Sequence, residues 1–86
     1  MKNENTIIIK YIGERIRAFR TDINMSRDKA AELLGISKRT LASYERGERE
    51  VTMPMLIKMA EIYRTTYTKL TNYENILDDM GNLIIG

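Results

Sequence analysis

Twice in succession this chain opens a helix and then stops it. Ser26 is a natural N-cap, Asp28 a favourable first-turn acid, and Gly35 follows Leu34 where a left-handed residue ends the run. Ser37 then caps a second run through Arg46, with Gly47 as the next stop. Helices this short are not stable alone, so the punctuation forces them to pack on each other and on neighbours. The neighbours show in the hydrophobic period. Ile9, Ile12, Ile16, Phe19 and Ile23 recur at helical spacing and predict a first helix from about Tyr11 to about Asp22, ended by Asn24. Thr52 caps a fourth helix with Leu56, Met59, Ala60 and Tyr63 on one face, and Pro54 lies near its start, where a missing N–H is harmless. Thr66 caps a fifth through Tyr67 and Leu70. Strand-type alternation is essentially absent from residues 11–73, so the expected fold is all-α.

Composition narrows the function classes. A chain of 86 residues has room for one domain with one small core, and no separate ligand-binding or catalytic domain is expected. It has neither cysteine nor histidine, so disulfides are excluded, and zinc sites and nucleophile–base dyads lose their usual members. No cofactor and no metal are expected. Adjacent Asp78 and Asp79 point to different sides of any regular element and read as a solvated acidic patch, so the chain is not expected to be an enzyme. The apolar run Thr6 to Ile12 is too short for a bilayer, which gives an expected cytoplasmic location and no membrane partner. Between residues 10 and 69 there are 13 Lys and Arg against 8 Asp and Glu, whereas the segment from Leu70 carries only Glu74, Asp78 and Asp79. A basic body suits a polyanionic partner.

The segment from Arg27 to Arg46 carries the functional signal. Ala30, Ala31, Leu34, Gly35, Ile36, Leu41 and Tyr44 are spaced as a helix-turn-helix requires. A small residue at Ala31 allows two helices to cross closely, and Gly35 makes the turn short. Ile36, Leu41 and Tyr44 anchor the third helix from beneath, leaving Lys38, Arg39, Ala42, Ser43 and Arg46 on its outer face. The competing interpretation of Lys38 and Arg39 is a solvated helix face. Cations in a first helical turn oppose the macrodipole by roughly 0.3–1 kcal/mol each, a penalty that a bound polyanion reverses.

With Ile12-Gly13-Glu14-Arg15-Ile16 opening the first helix, Gly35-Ile36-Ser37 at the turn, Glu45-Arg46-Gly47 closing the third, and Leu56, Ala60 and Leu70 beyond, the chain resembles the Cro and phage-repressor, or xenobiotic-response-element, helix-turn-helix family. The likeness covers about Ile12 to Thr71. It implies a compact five-helix, lambda-repressor-like DNA-binding domain that docks its third helix in the major groove of a pseudo-palindromic operator, commonly as a dimer. Carried over by position, Lys38, Arg39 and Ser43 stand where base-reading side chains lie. Arg27 replaces a glutamine that touches the DNA backbone, and Ser37, Thr40, Arg46 and Arg49 complete the expected DNA-facing set. The family also pairs an arginine of the first helix with the glutamate ending the third, here Arg20 with Glu45, as a structural ion pair. Departures are Glu48 and Glu50 flanking Arg49 in a loop that is often basic, Arg64 where a glycine commonly ends the fourth helix, and Ala30 in place of a larger core residue, for which Met53, Met55 or the terminal segments would compensate. Arg15 and Arg17 read as solvated.

The expected organisation is an N-terminal extension (1–10), the helix-turn-helix domain (11–73) and an apolar and acidic tail (74–86). Ile76, Leu77, Met80, Leu83, Ile84 and Ile85 are candidates for a dimer contact, since an uncovered apolar run is costly in water. The expected function is a dimeric, sequence-specific transcriptional regulator of bacterial or mobile-element origin, a repressor acting by occupying an operator on double-stranded DNA. The alternative is an antitoxin or anti-repressor type of protein-interaction module on the same fold, with a regulatory protein as partner.

Overall fold

The computed structural model describes residues 4–73, which form five helices: α1 (Glu4–Asp22), α2 (Arg27–Leu34), α3 (Lys38–Glu45), α4 (Met53–Ile62) and α5 (Tyr67–Thr71). The hydroxyls of Ser26, Ser37, Thr52 and Thr66 accept from the backbone N–H of Lys29, Thr40, Met55 and Lys69, so four of the five helices start on a side-chain cap. Each such cap contributes about 1 kcal/mol.

The first helix departs from expectation at its start. It begins at Glu4 rather than near Tyr11, so the boundary expected after residue 10 falls inside α1. Three consecutive isoleucines obscured the period, because β-branched side chains at adjacent positions favour no single face. In the fold Ile8, Ile9 and Ile12 line a cleft of about 340 Å³ together with Met53, Tyr67 and Tyr73. Tertiary packing therefore overrides local preference.

The core is Ile16, Ala30, Ala31, Leu34, Leu41, Val51, Leu56, Met59, Ala60, Tyr63 and Leu70, contributed by every helix and by the loop before α4. Helix α1 packs against α3 and α5, α2 against α3 and α4, and α4 against α5. Ala30 and Ala31 are both buried. Met53 does not make up for the small Ala30, being 59% exposed, whereas Met55 packs against the core.

Gly13 lies at the crossing of α1 with α3. A Cβ there would meet the Tyr44 carbonyl oxygen at 2.5 Å and the Glu45 carbonyl oxygen at 2.8 Å. Gly47, at φ +72°, packs in turn on the Cα of Lys10. Arg64 takes the left-handed conformation at φ 63° despite its side chain, and Thr65 N–H donates to the Ala60 carbonyl at 2.8 Å. The end of α4 thus keeps the geometry usual for glycine.

Arg15 is not simply solvated. Its Nε and Nη2 donate to the carbonyls of Leu70 and Lys69 at 3.3 and 2.6 Å, satisfying the exposed end of α5. The dimer-contact candidates Ile76, Leu77, Met80, Leu83, Ile84 and Ile85 lie outside the described residues.

Candidate nucleic-acid interface

Helix α3 begins where Ser37, in extended conformation, turns its Oγ back to accept from Thr40 N–H at 3.0 Å. The same hydroxyl donates to Thr40 Oγ1 at 2.9 Å, at the exposed start of the helix, where Thr40 is half-buried. Lys38 and Arg39 occupy the next two positions and are exposed. Lys38 Nζ meets Asp28 Oδ1 at 3.2 Å, with both side chains largely in solvent. Among the described residues Arg39 has no ion-pair partner. Ser43, one turn along, is half-buried. Ala42 departs from the outer face assigned to it and is buried. It sits at the edge of the apolar stripe, where a methyl group is small enough to be covered by its neighbours.

The opposite end of α3 is locked from below. Arg20 Nε and Nη2 donate to Glu45 Oε2 and Oε1 at 2.6 and 3.1 Å, and Arg20 Nη1 donates to the Met25 carbonyl at 2.7 Å. Arg20 and Glu45 side chains are 7% and 1% exposed. The hydrogen bond to Glu45 raises the Arg20 pKa above its ordinary value, outweighing the opposing effect of burial. One Arg therefore ties α1, the α1–α2 turn and the last residue of α3 together.

Glu45 has a second cation. Arg27 Nε donates to Glu45 Oε1 at 3.2 Å, so the residue expected at the DNA backbone is also part of the structural network. Tyr63 packs close by. Its hydroxyl is buried without a hydrogen-bond partner among the described residues, and burial, reinforced by the negative charge of Glu45, pushes its pKa up to about 12.

In the loop after α3 the cations also have local partners. Arg46 Nε and Nη2 donate to Glu48 Oε2 and Oε1, both at 3.1 Å, which raises the Arg46 pKa. Arg49 lies over the Tyr44 ring, 5.6 Å from its centroid. The fold thus brings Lys38, Arg39, Thr40 and Ser43 onto α3 and Ser37 onto its N-cap, with Arg27, Arg46 and Arg49 around it. Asp28 and Glu48, the partners of Lys38 and Arg46, are not evident from sequence. Glu48 stands two positions after Arg46, and that proximity is the one signal the sequence carries.

A helix with an exposed basic first turn, pinned at its other end by a buried ion pair, can enter a groove of duplex DNA. Among the described residues no group of acids is arranged to hold a metal ion, and no helix is long and apolar enough to cross a membrane.

The sequence model of the Helix-turn-helix family HTH_3 matches residues 16–70. The chain belongs to this family. It is 31% identical over 74 residues to control protein C.SmaI of Serratia marcescens, covering 86% of this chain and 88% of that protein. It spans only 18% and 20% of two longer archaeal relatives, from Thermococcus kodakarensis and Pyrococcus furiosus. Among solved structures, the biofilm master regulator SinR in complex with DNA superposes with a TM-score of 0.63 at 28% identity, covering 69% of this chain and 95% of that one. Hydroxypropylphosphonic acid epoxidase from S. wedmorenis superposes with a TM-score of 0.70 at 32% identity, covering 83% of this chain and 38% of the enzyme.

Proposed function

We propose that this HTH_3 protein is a sequence-specific DNA-binding transcriptional regulator that works in the cytoplasm as a homodimer and represses by occupying an inverted-repeat operator. One observation carries the reading: α3 presents Lys38 and Arg39 on an exposed first turn while its other end is pinned by the buried Arg20–Glu45 pair. In this reading Lys38, Arg39 and Ser43 face base edges, while Ser37, Thr40, Arg27, Arg46 and Arg49 serve the backbone. The likeness to the control protein C.SmaI and to the biofilm regulator SinR, whose structure is a complex with DNA, supports the same class.

No catalysis is included. The epoxidase match spans 38% of that enzyme and supports a shared fold over that stretch, and the present chain has neither His nor Cys. A protein-interaction module would draw on the apolar cleft beside α1 and on Ile76, Leu77, Met80, Leu83, Ile84 and Ile85, which here serve the second subunit instead.

Selection of a preferred duplex from a random pool, followed by insertion of half a helical turn between its half-sites, tests the reading. Half-site centres are expected about one turn, roughly 10–10.5 base pairs, apart, and the insertion should sharply reduce affinity. Unchanged affinity would rule out dimeric docking. Deleting residues 76–86 should leave a folded monomer in sedimentation, and a truncated chain that remains dimeric would place the interface elsewhere.

A further inference from the structure

The Arg46–Glu48 pair has the geometry with which a guanidinium holds a phosphate: two parallel N–H donors, each 3.1 Å from one of two oxygens of a single anion. It borders an open cleft of about 530 Å³ lined also by Lys10, Arg17 and Arg27, which brings four cations to the flank of α3. Of the three acids in that cleft, Glu14 is exposed on α1, Glu45 is buried and held by Arg20 and Arg27, and Glu48 is 57% exposed on its own loop as the partner of Arg46. The Glu48 backbone cannot swing away with the loop, because its N–H donates to the Ser43 carbonyl at 2.9 Å and the preceding Gly47 is seated on Lys10.

From these contacts we infer that Glu48 is an affinity-setting residue, an internal carboxylate that occupies the place of a DNA phosphate on Arg46. This rests on the DNA-binding reading above. A backbone phosphate approaching Arg46 has to displace the Glu48 carboxylate, and the displaced carboxylate stays near the phosphate because its backbone is tied to α3. Both effects oppose binding, and both are blind to base sequence. Glu48 therefore lowers affinity for every duplex by a similar factor and leaves the ranking of sequences unchanged.

The experiment is a titration of wild type, E48Q, R46A and the R46A/E48Q double variant on the selected duplex and on an unrelated duplex, across a salt series. Both side chains are more than half exposed, so circular dichroism should be unchanged. E48Q should bind both duplexes about threefold to tenfold more tightly at low salt, with a salt dependence steeper by about one ion. In the R46A background the same substitution should give a clearly smaller gain, because only the repulsion between carboxylate and phosphate is left to relieve. An E48Q protein that binds as weakly as wild type or more weakly overturns the inference. So does an equal gain in both backgrounds, which would mean that Glu48 acts only through net charge. If none of the four proteins binds duplex even at low salt, the DNA-binding reading itself fails, an outcome distinct from the other two.

Discussion

With its side chain 1% exposed and three donor nitrogens from Arg20 and Arg27 around it, Glu45 is a charge that folding can bury only because both arginines are present. Removing it leaves the Arg20 guanidinium inside the protein with the Met25 carbonyl as its remaining partner. Glu45→Ala is expected to cost about 3 kcal/mol or more, read as a fall in melting temperature of roughly 10 °C or more. A melting point equal to wild type would make the pair dispensable. Arg64 points the other way. A non-glycine residue in the left-handed region is strained by about 1–2 kcal/mol, part of which glycine loses again through its more flexible unfolded chain. Arg64→Gly should therefore raise stability by about 1 kcal/mol in denaturant titration, without moving DNA affinity. At this scale caps and stops were legible in sequence, because Ser, Thr and Gly act on the backbone within three or four residues. The partners of Lys38, Arg46 and Arg15 were not, since an exposed cation pairs with whatever the fold brings near it.

At the scale of elements, the close approach of α1 to α3 fixes how far the recognition helix stands out from the body. Gly13 makes that approach possible, and its role is steric: the Tyr44 and Glu45 carbonyls occupy the space a methyl group would need. Gly13→Ala improves helix propensity by about 1 kcal/mol, yet the clash is with backbone atoms and costs about 1–3 kcal/mol or more. A net loss of stability is expected, with weaker DNA binding as α3 shifts, and a more stable Gly13→Ala protein would show that α1 simply slides. The starts of α2 to α5 are legible in sequence because each is opened by a hydroxyl cap that bonds to its own first turn. The start of α1 is not, since the isoleucine run between Glu4 and Lys10 favours no single face by itself and finds its apolar neighbours, Met53, Leu56 and Tyr67, only in the fold. Ala42 was put on the wrong face for a related reason: in an eight-residue helix the border between the buried and open sides is one residue wide.

At the scale of the molecule, one small core without disulfides serves to display a single short helix. The HTH_3 membership and the helix-turn-helix were legible because spacing, residue size and caps agree over most of the chain. The charge economy of the interface was not, because it arises from contacts between Asp28 and Lys38 and between Glu48 and Arg46 that only the folded loops create. Those contacts leave Arg39 as the cation on α3 without an acid partner among the described residues. Its two parallel donors are suited to a guanine edge. The direct test is the affinity of Arg39→Ala for the selected duplex and for every single-base variant of it, with Arg27→Ala as the backbone control. Arg39→Ala should lose about 1–3 kcal/mol on the selected duplex and much less where the base pair it reads has been changed, while Arg27→Ala weakens all duplexes about equally. A uniform loss across all variants for Arg39→Ala as well would mean that α3 rests on phosphates without reading bases, and would contradict sequence-specific recognition by this helix.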